Sequence, residues 1–173
     1  MKTKVIKVFS FDELSERAKE NARDWLRGCG FDEWWEATYE DAERIGLKIT
    51  SFDLDRNKHA KGKWITSAWE CATTITKEHG EGFDTYKDAV VFLRERDEII
   101  DTAERDENGD FVDEYAVDRR LDELEGDFLK TVLEDYASLL QEEWEYLNSD
   151  EQVDEAIRAN DYTFREDGTR EDI

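Results

Sequence analysis

Between Asp113 and Leu147 the chain runs for 35 residues with apolar side chains at nearly every third or fourth position: Val117, Leu121, Leu124, Phe128, Val132, Tyr136, Leu139 and Leu147, flanked by Leu133 and Leu140. That spacing keeps one face of a helix apolar. A helix of this length would span roughly 52 Å. Nothing breaks the pattern, because the 173-residue chain contains no proline.

The flanking segments predict shorter elements. Lys2–Phe9 alternates basic and apolar residues and suits a short strand. Ser10 with Glu13 three residues on reads as a capping box for a helix from Phe11 to about Arg27, and a second helix is expected from about Asp32 to Gly46. Leu47, Ile49, Ser51 and Leu54 suggest a strand, Lys63–Ser67 its partner, and residues 55–62 the loop between them. Helices are expected over Ala68–Lys77, from Phe83 to about Glu104, and over Asp150–Ala159, with a turn at Asn108–Gly109 and a last strand at Tyr162–Arg165. The expected fold is α+β: about six helices, one of them long and acidic, packing a small antiparallel sheet made from the N-terminal strand, the middle hairpin and the C-terminal strand. No linker or repeat divides the chain, so residues 1–173 are expected to form one domain.

Charge separates its two halves. Residues 1–90 hold 15 basic and 18 acidic side chains, whereas residues 91–173 hold 9 and 29, so most of the formal charge of −23 lies in the second half. That balance argues against direct binding to DNA or to an anionic membrane, both of which attract cations. Six tryptophans and nine phenylalanines argue against a disordered acidic chain. The absence of a long apolar run and of a signal-peptide pattern predicts a cytoplasmic protein without membrane spans. Cys29 and Cys71 form no CxxC pair, which suits a reducing compartment.

The acidic half supplies the main candidate surface. Asp97, Asp101 and Glu104 share one helical face, and Glu114, Asp118, Asp122 and Glu125 form a second stripe. Like charges three or four residues apart destabilise a helix by about 0.2–0.5 kcal/mol per pair. Such stripes suit docking on a cationic protein or imitation of a polyanion; the alternative is a solvated face that serves solubility. The long segment holds 12 acids and three bases, roughly one net charge per 6 Å of helix, which is sparser than duplex DNA, so mimicry would need neighbouring helices. Arg56, Lys58, Lys61 and Lys63 make the middle hairpin the basic exception. It suits a solvated loop tip, pairing with acidic surface (including that of a second copy in a homodimer), or an RNA or nucleotide contact with Trp64 available to stack.

Enzymatic signatures are missing: there is no Walker loop, GxSxG, HExxH or GxGxxG, and no cofactor is expected. Residues 104–115 resemble a calcium loop, but position twelve is Tyr115 rather than the required Glu. Cys29, His59, Cys71 and His79 have no familiar zinc spacing, and no metal site is expected.

Three segments carry a resemblance: 11–25 (FDELSERAKENARDW), 34–42 (WWEATYEDA) and 49–56 (ITSFDLDR). Together with the ending Tyr162–Gly168 (YTFREDG), they resemble a family of small proteins encoded by phages and prophages and labelled antitoxin-like or hypothetical. These motifs are fold signatures that transfer no catalytic residue. The resemblance implies an accessory phage protein expressed in a bacterial cytoplasm. The acidic, helical, aromatic-rich character is also similar to that of phage antirestriction and anti-CRISPR proteins that mimic DNA. The leading expectation is therefore an inhibitor whose acidic helices occupy the nucleic-acid-binding surface of a basic host defence protein. The alternatives are an antitoxin that masks a toxin, and a nucleotide or RNA binder that uses the basic hairpin.

Overall fold

A computed structural model describes residues 7–171. The fold is α+β, and the described residues divide into two compact units: Trp35–Gln141 form one, and residues 7–34 with 142–171 form the other.

In the unit of residues 35–141, helix α2 (Glu36–Arg44) ends at Gly46, whose φ of +92° only glycine adopts without strain. The carbonyl of Gly46 accepts from the amide of Ile65 at 2.8 Å, tying the start of strand β2 (Leu47–Asp53) to the end of its antiparallel partner β3 (His59–Trp64). Leu47 and Ile49 are buried while Lys48 and Thr50 face solvent, as period-two alternation requires. Gly62 lets the hairpin pack tightly: a Cβ there would lie 2.5 Å from the Lys48 carbonyl and 2.9 Å from Leu133. Helix α3 (Ala68–Glu78) begins with a reciprocal capping box between Ser67 and Glu70. It buries Ala68, Cys71, Ala72 and Ile75. Helix α4 (Asp84–Thr102) and helix α5 (Glu114–Leu147) follow, joined by a turn at 103–113. The core gathers Ile45, Leu47, Ile49, Ile75, Phe92, Phe128, Val132 and Tyr136. Phe128 lies stacked between Phe92, 4.3 Å away, and Trp64, 5.4 Å away.

The other unit holds strand β1 (Phe9–Ser10), a 3₁₀ turn at Phe11–Glu13, helix α1 (Glu16–Cys29), helix α6 (Asp150–Ala159) and strand β4 (Thr163–Phe164). β1 and β4 pair antiparallel, Phe9 opposite Phe164. Phe11, Leu14, Ala18, Ala22, Val153, Ile157 and Phe164 are its core. Arg23 grips both carboxylate oxygens of Asp154, at 2.7 and 2.9 Å, which locks α1 to α6.

Several boundaries differ from the sequence reading. The expected single sheet is two separate two-stranded sheets, β1–β4 and β2–β3, one in each unit. β3 begins at His59 rather than Lys63, because its inward positions are Ala60, Gly62 and Trp64, and the first two are too small to register as an apolar alternation. The helix expected from Phe11 is broken at Leu14, and Ser15 caps the true α1 by accepting from the Ala18 amide. α2 starts four residues later than expected, after Trp35. Residues 2–6 of the expected first strand lie outside the described residues.

Two glycines give opposite stability predictions. Gly168 has φ +86° and approaches the Ala18 carbonyl so closely that a Cβ would sit 2.0 Å from its oxygen. Gly168→Ala is expected to cost about 3 kcal/mol or more in urea unfolding. Gly126 lies inside α5 with nothing within 4 Å of where its Cβ would be, so Gly126→Ala is expected to stabilise by about 1 kcal/mol.

Candidate functional site

The seven acids singled out by sequence fall on one continuous helix–turn–helix. Asp97 and Asp101 lie on the last turns of α4, Glu104 opens the turn, and Glu114, Asp118, Asp122 and Glu125 lie on the first third of α5. The Phe92–Phe128 stack pins α4 to α5 beyond both stripes, so both acidic segments lie between that stack and the turn. Six of the seven are exposed, and Glu125 is half-buried. Asp97 has Arg96 at 3.7 Å; the other six side chains make no hydrogen bond or ion pair among the described residues. Residues 94–127 carry 15 acids against 5 bases, a net of −10.

The turn builds itself from some of its acids. Asp106 Oδ1 accepts from the amides of Asn108 and Asp110, which holds its carboxyl below the usual carboxylate range. Gly109 takes φ +89°, Arg105 and Phe111 form an antiparallel bridge, and the Arg105 guanidinium lies 4.2 Å from the centre of the Phe111 ring. Asp113 caps α5 by accepting from the Ala116 amide at 2.9 Å. Asp106, a ligand position in the calcium-loop comparison, is thus turned onto its own backbone. Two apolar side chains point outward from this acidic turn, Val112 at 58% and Tyr115 at 78% exposure. Sequence reasoning missed them as surface anchors. The available signal was that Tyr115 lies off the apolar stripe that begins at Val117.

The basic hairpin is present with Arg56, Lys58, Lys61 and Lys63 all exposed. Trp64 is not available to stack on a base, as the sequence reading allowed, because its ring packs against Phe128 in the core. Lys58 Nζ donates to Ser138 Oγ on α5 at 3.0 Å.

Polar groups also meet inside this unit. The buried Tyr136 hydroxyl donates to Asp41 Oδ2 at 2.8 Å; His79 Nε2 stands 3.7 Å from the same oxygen, and His79 Nδ1 lies 2.8 Å from Thr85 Oγ1. An acid, an imidazole and a hydroxyl in a row suggest a nucleophile relay, but Thr85 is closed off from solvent. The arrangement braces α2, the end of α3, α4 and α5. Cys71 is buried among core residues, and burial pushes its thiol up to about 12, making it a poor nucleophile. No group of three or more His, Cys, Asp or Glu suited to a metal ion occurs among the described residues. No helix there is long and apolar enough to cross a membrane.

Comparison with protein-family models, with curated proteins and with solved structures finds no match to this chain.

One acidic group tunes stability. Asp135 on α5 buries Oδ2 without a hydrogen-bond partner. Burial first, then the Asp88 and Asp84 carboxylates of α4 and the neighbouring Glu134, pushes Asp135 up to about 7 from an ordinary 3.8. The folded chain therefore keeps this proton where the unfolded chain has lost it. The resulting stabilisation is present in full below the ordinary value of 3.8, falls as pH rises from there, and is gone above about 7. Asp135→Asn is expected to flatten the stability change between pH 5.5 and 8 by about 1 kcal/mol once solvent screening is allowed for, read by urea unfolding at both pH values.

Proposed function

We propose that this protein is a non-enzymatic inhibitor, of the accessory kind that phages encode, that docks its acidic helical hairpin on the cationic nucleic-acid-binding surface of a host defence protein. One observation carries the reading: an α4–turn–α5 segment with net charge −10 in which Asp101, Glu104, Glu114, Asp118 and Asp122 make no side-chain hydrogen bond or ion pair among the described residues. Evolution toward solubility alone would not concentrate them on one helical hairpin, where like charges oppose helix formation. Two adjacent helices also raise the charge density above that of a single helix, which brings it closer to the spacing of nucleic-acid phosphates.

The carboxylates would act at a distance, raising the association rate with a basic surface, and the complex should weaken as salt screens them. Val112 and Tyr115 would supply the short-range part, since an exposed tyrosine set among charges has the character of an interface anchor. These two side chains also favour the second reading, an antitoxin that masks a basic toxin by direct contact. The two readings share a surface and differ in the partner.

The test is capture of partners from bacterial lysate by wild type and by an Asp101→Lys/Asp118→Lys/Asp122→Lys variant, each at low and high salt, with the retained protein identified. Wild type should retain a basic protein that elutes as salt rises. The triple reversal should weaken that binding by roughly 100-fold while the chain stays folded. Undiminished binding by the reversed variant would refute docking through the acidic hairpin.

A further inference from the structure

The chain has 47 carboxylates for 24 lysines and arginines, so a cation without a carboxylate beside it needs a cause. On the helices most cations have one: Arg23 has Asp154, Arg158 has Asp12, and Lys87 has Asp84. The five on the β2–β3 hairpin do not. Lys48, Arg56, Lys58, Lys61 and Lys63 make no ion pair among the described residues. Lys48 and Lys63 even stand directly opposite each other across the strands, a like-charge pairing that destabilises a sheet. A surface that retains such a pair in so acidic a protein is arranged for an external anion.

A groove of about 380 Å³ opens between the inward face of β3 and α5, with Lys61 among its lining residues; Lys48 and Lys63 stand on the opposite, outward face of the hairpin. It exists because Gly126 leaves a gap in the side chains of α5. Ala60, Leu129 and Leu133 give it an apolar lining, and Lys61, Lys130 and Glu134 also line it, Lys130 and Glu134 standing 3.9 Å apart. An occupant that matches carries carboxylates around an apolar centre. Single-stranded nucleic acid fits poorly, because the one indole of the hairpin is committed to Phe128 and cannot take a base.

The chain itself displays a matching surface. In the 103–113 turn and the start of α5, Val112 and Tyr115 project outward among Glu104, Asp110 and Glu114. We propose that this acidic turn of one copy docks in the groove beside the basic hairpin of a second copy, so that the protein self-associates. Two such contacts related by a twofold axis close a dimer without leaving a free turn or groove. The contact is local and electrostatically assisted, so it belongs to the weak class, with a dissociation constant on the order of 10 μM at 0.1 M salt. It holds whether or not the acidic hairpin also has a basic partner, and such a partner would compete with it for the turn.

The experiment is sedimentation velocity of the purified chain at about ten times that dissociation constant. Two surface variants accompany it: Arg56→Glu/Lys61→Glu/Lys63→Glu, and Glu104→Lys/Asp110→Lys/Glu114→Lys. Circular dichroism checks that both remain folded. Wild type should sediment mainly as a dimer, and each variant alone as a monomer, because each then opposes like charge to like. Mixed in equal amounts, the two variants should form a heterodimer, because every turn again meets a groove of opposite sign. A monomeric wild type would overturn the proposal, as would a variant that dimerises alone as well as wild type or a mixture that stays monomeric. None of these measurements involves a host partner, so they can fail while docking through the acidic hairpin succeeds, and the reverse.

Discussion

Phe128 sits near the middle of α5 with Phe92 stacked on one face at 4.3 Å and 14°, and Trp64 on the other at 5.4 Å and 27°. One ring thereby joins α4, α5 and β3. Each aromatic contact contributes about 0.5–1.5 kcal/mol beyond the area it buries. The positional consequence is larger than the energetic one. Pinning α4 to α5 at this level leaves ten residues of α4 and fourteen of α5 projecting towards the turn, and those segments hold the acidic stripes. Pinning Trp64 inward fixes the alternation of β3, so that Gly62 faces Leu133 and Lys61 and Lys63 face out. The anionic hairpin and the cationic hairpin are both set by the same three rings.

Charge divides differently by sequence and by packing. The halves 1–90 and 91–173 carry −3 and −20, but the compact units carry −14 for 35–141 and −9 for the rest. The sequence halves place the basic hairpin and the acidic helices in separate parts. Packing places them in one unit around one core, which makes that unit strongly dipolar. A dipolar unit can meet two kinds of partner, or a copy of itself, whereas a uniformly acidic one repels its copies. In the unit of residues 7–34 and 142–171, by contrast, Arg23, Arg27 and Arg158 reach Asp154, Asp150 and Asp12, and its arginines cross-brace the fold.

The long helix was legible to within a residue, because 35 residues of apolar spacing outweigh any local ambiguity, and α3 and α6 were legible for the same reason. β3 was not, since its inward residues are alanine and glycine, chosen for close approach rather than for hydrophobicity. The break at Leu14 was hidden by two serines five residues apart, each a competent cap: Ser10 serves a single 3₁₀ turn, and Ser15 begins the helix. Helical periodicity put Asp97, Asp101, Glu114, Asp118 and Asp122 on exposed helical positions, but Glu104 lies past the end of α4 and Glu125 is half-buried. Sequence could not find Val112 and Tyr115 as exposed anchors, because exposure of a single residue near a turn depends on how the turn closes. It left Trp64 open between the core and a stacking contact, because a tryptophan among lysines reads as either until the strand register is known.

The acids themselves fall into two sets, and the division bears on function. Asp12, Asp41, Asp106, Asp113 and Asp154 each accept a hydrogen bond that shapes the fold: from an arginine, from the Tyr136 hydroxyl, or from backbone amides. Among the described residues, the side chains of Asp101, Glu104, Glu114, Asp118 and Asp122 accept none. Loss of the first set would cost stability, whereas loss of the second should relieve repulsion and leave the fold no weaker. The proposed docking gives these carboxylates a role that the fold does not. Long-range attraction alone would draw in any cation, since carboxylates within a Debye length of about 10 Å at 0.1 M salt act together and without selectivity. Under the proposed docking, selectivity would come from short-range groups among them, and in this hairpin Val112 and Tyr115 are the exposed large apolar side chains.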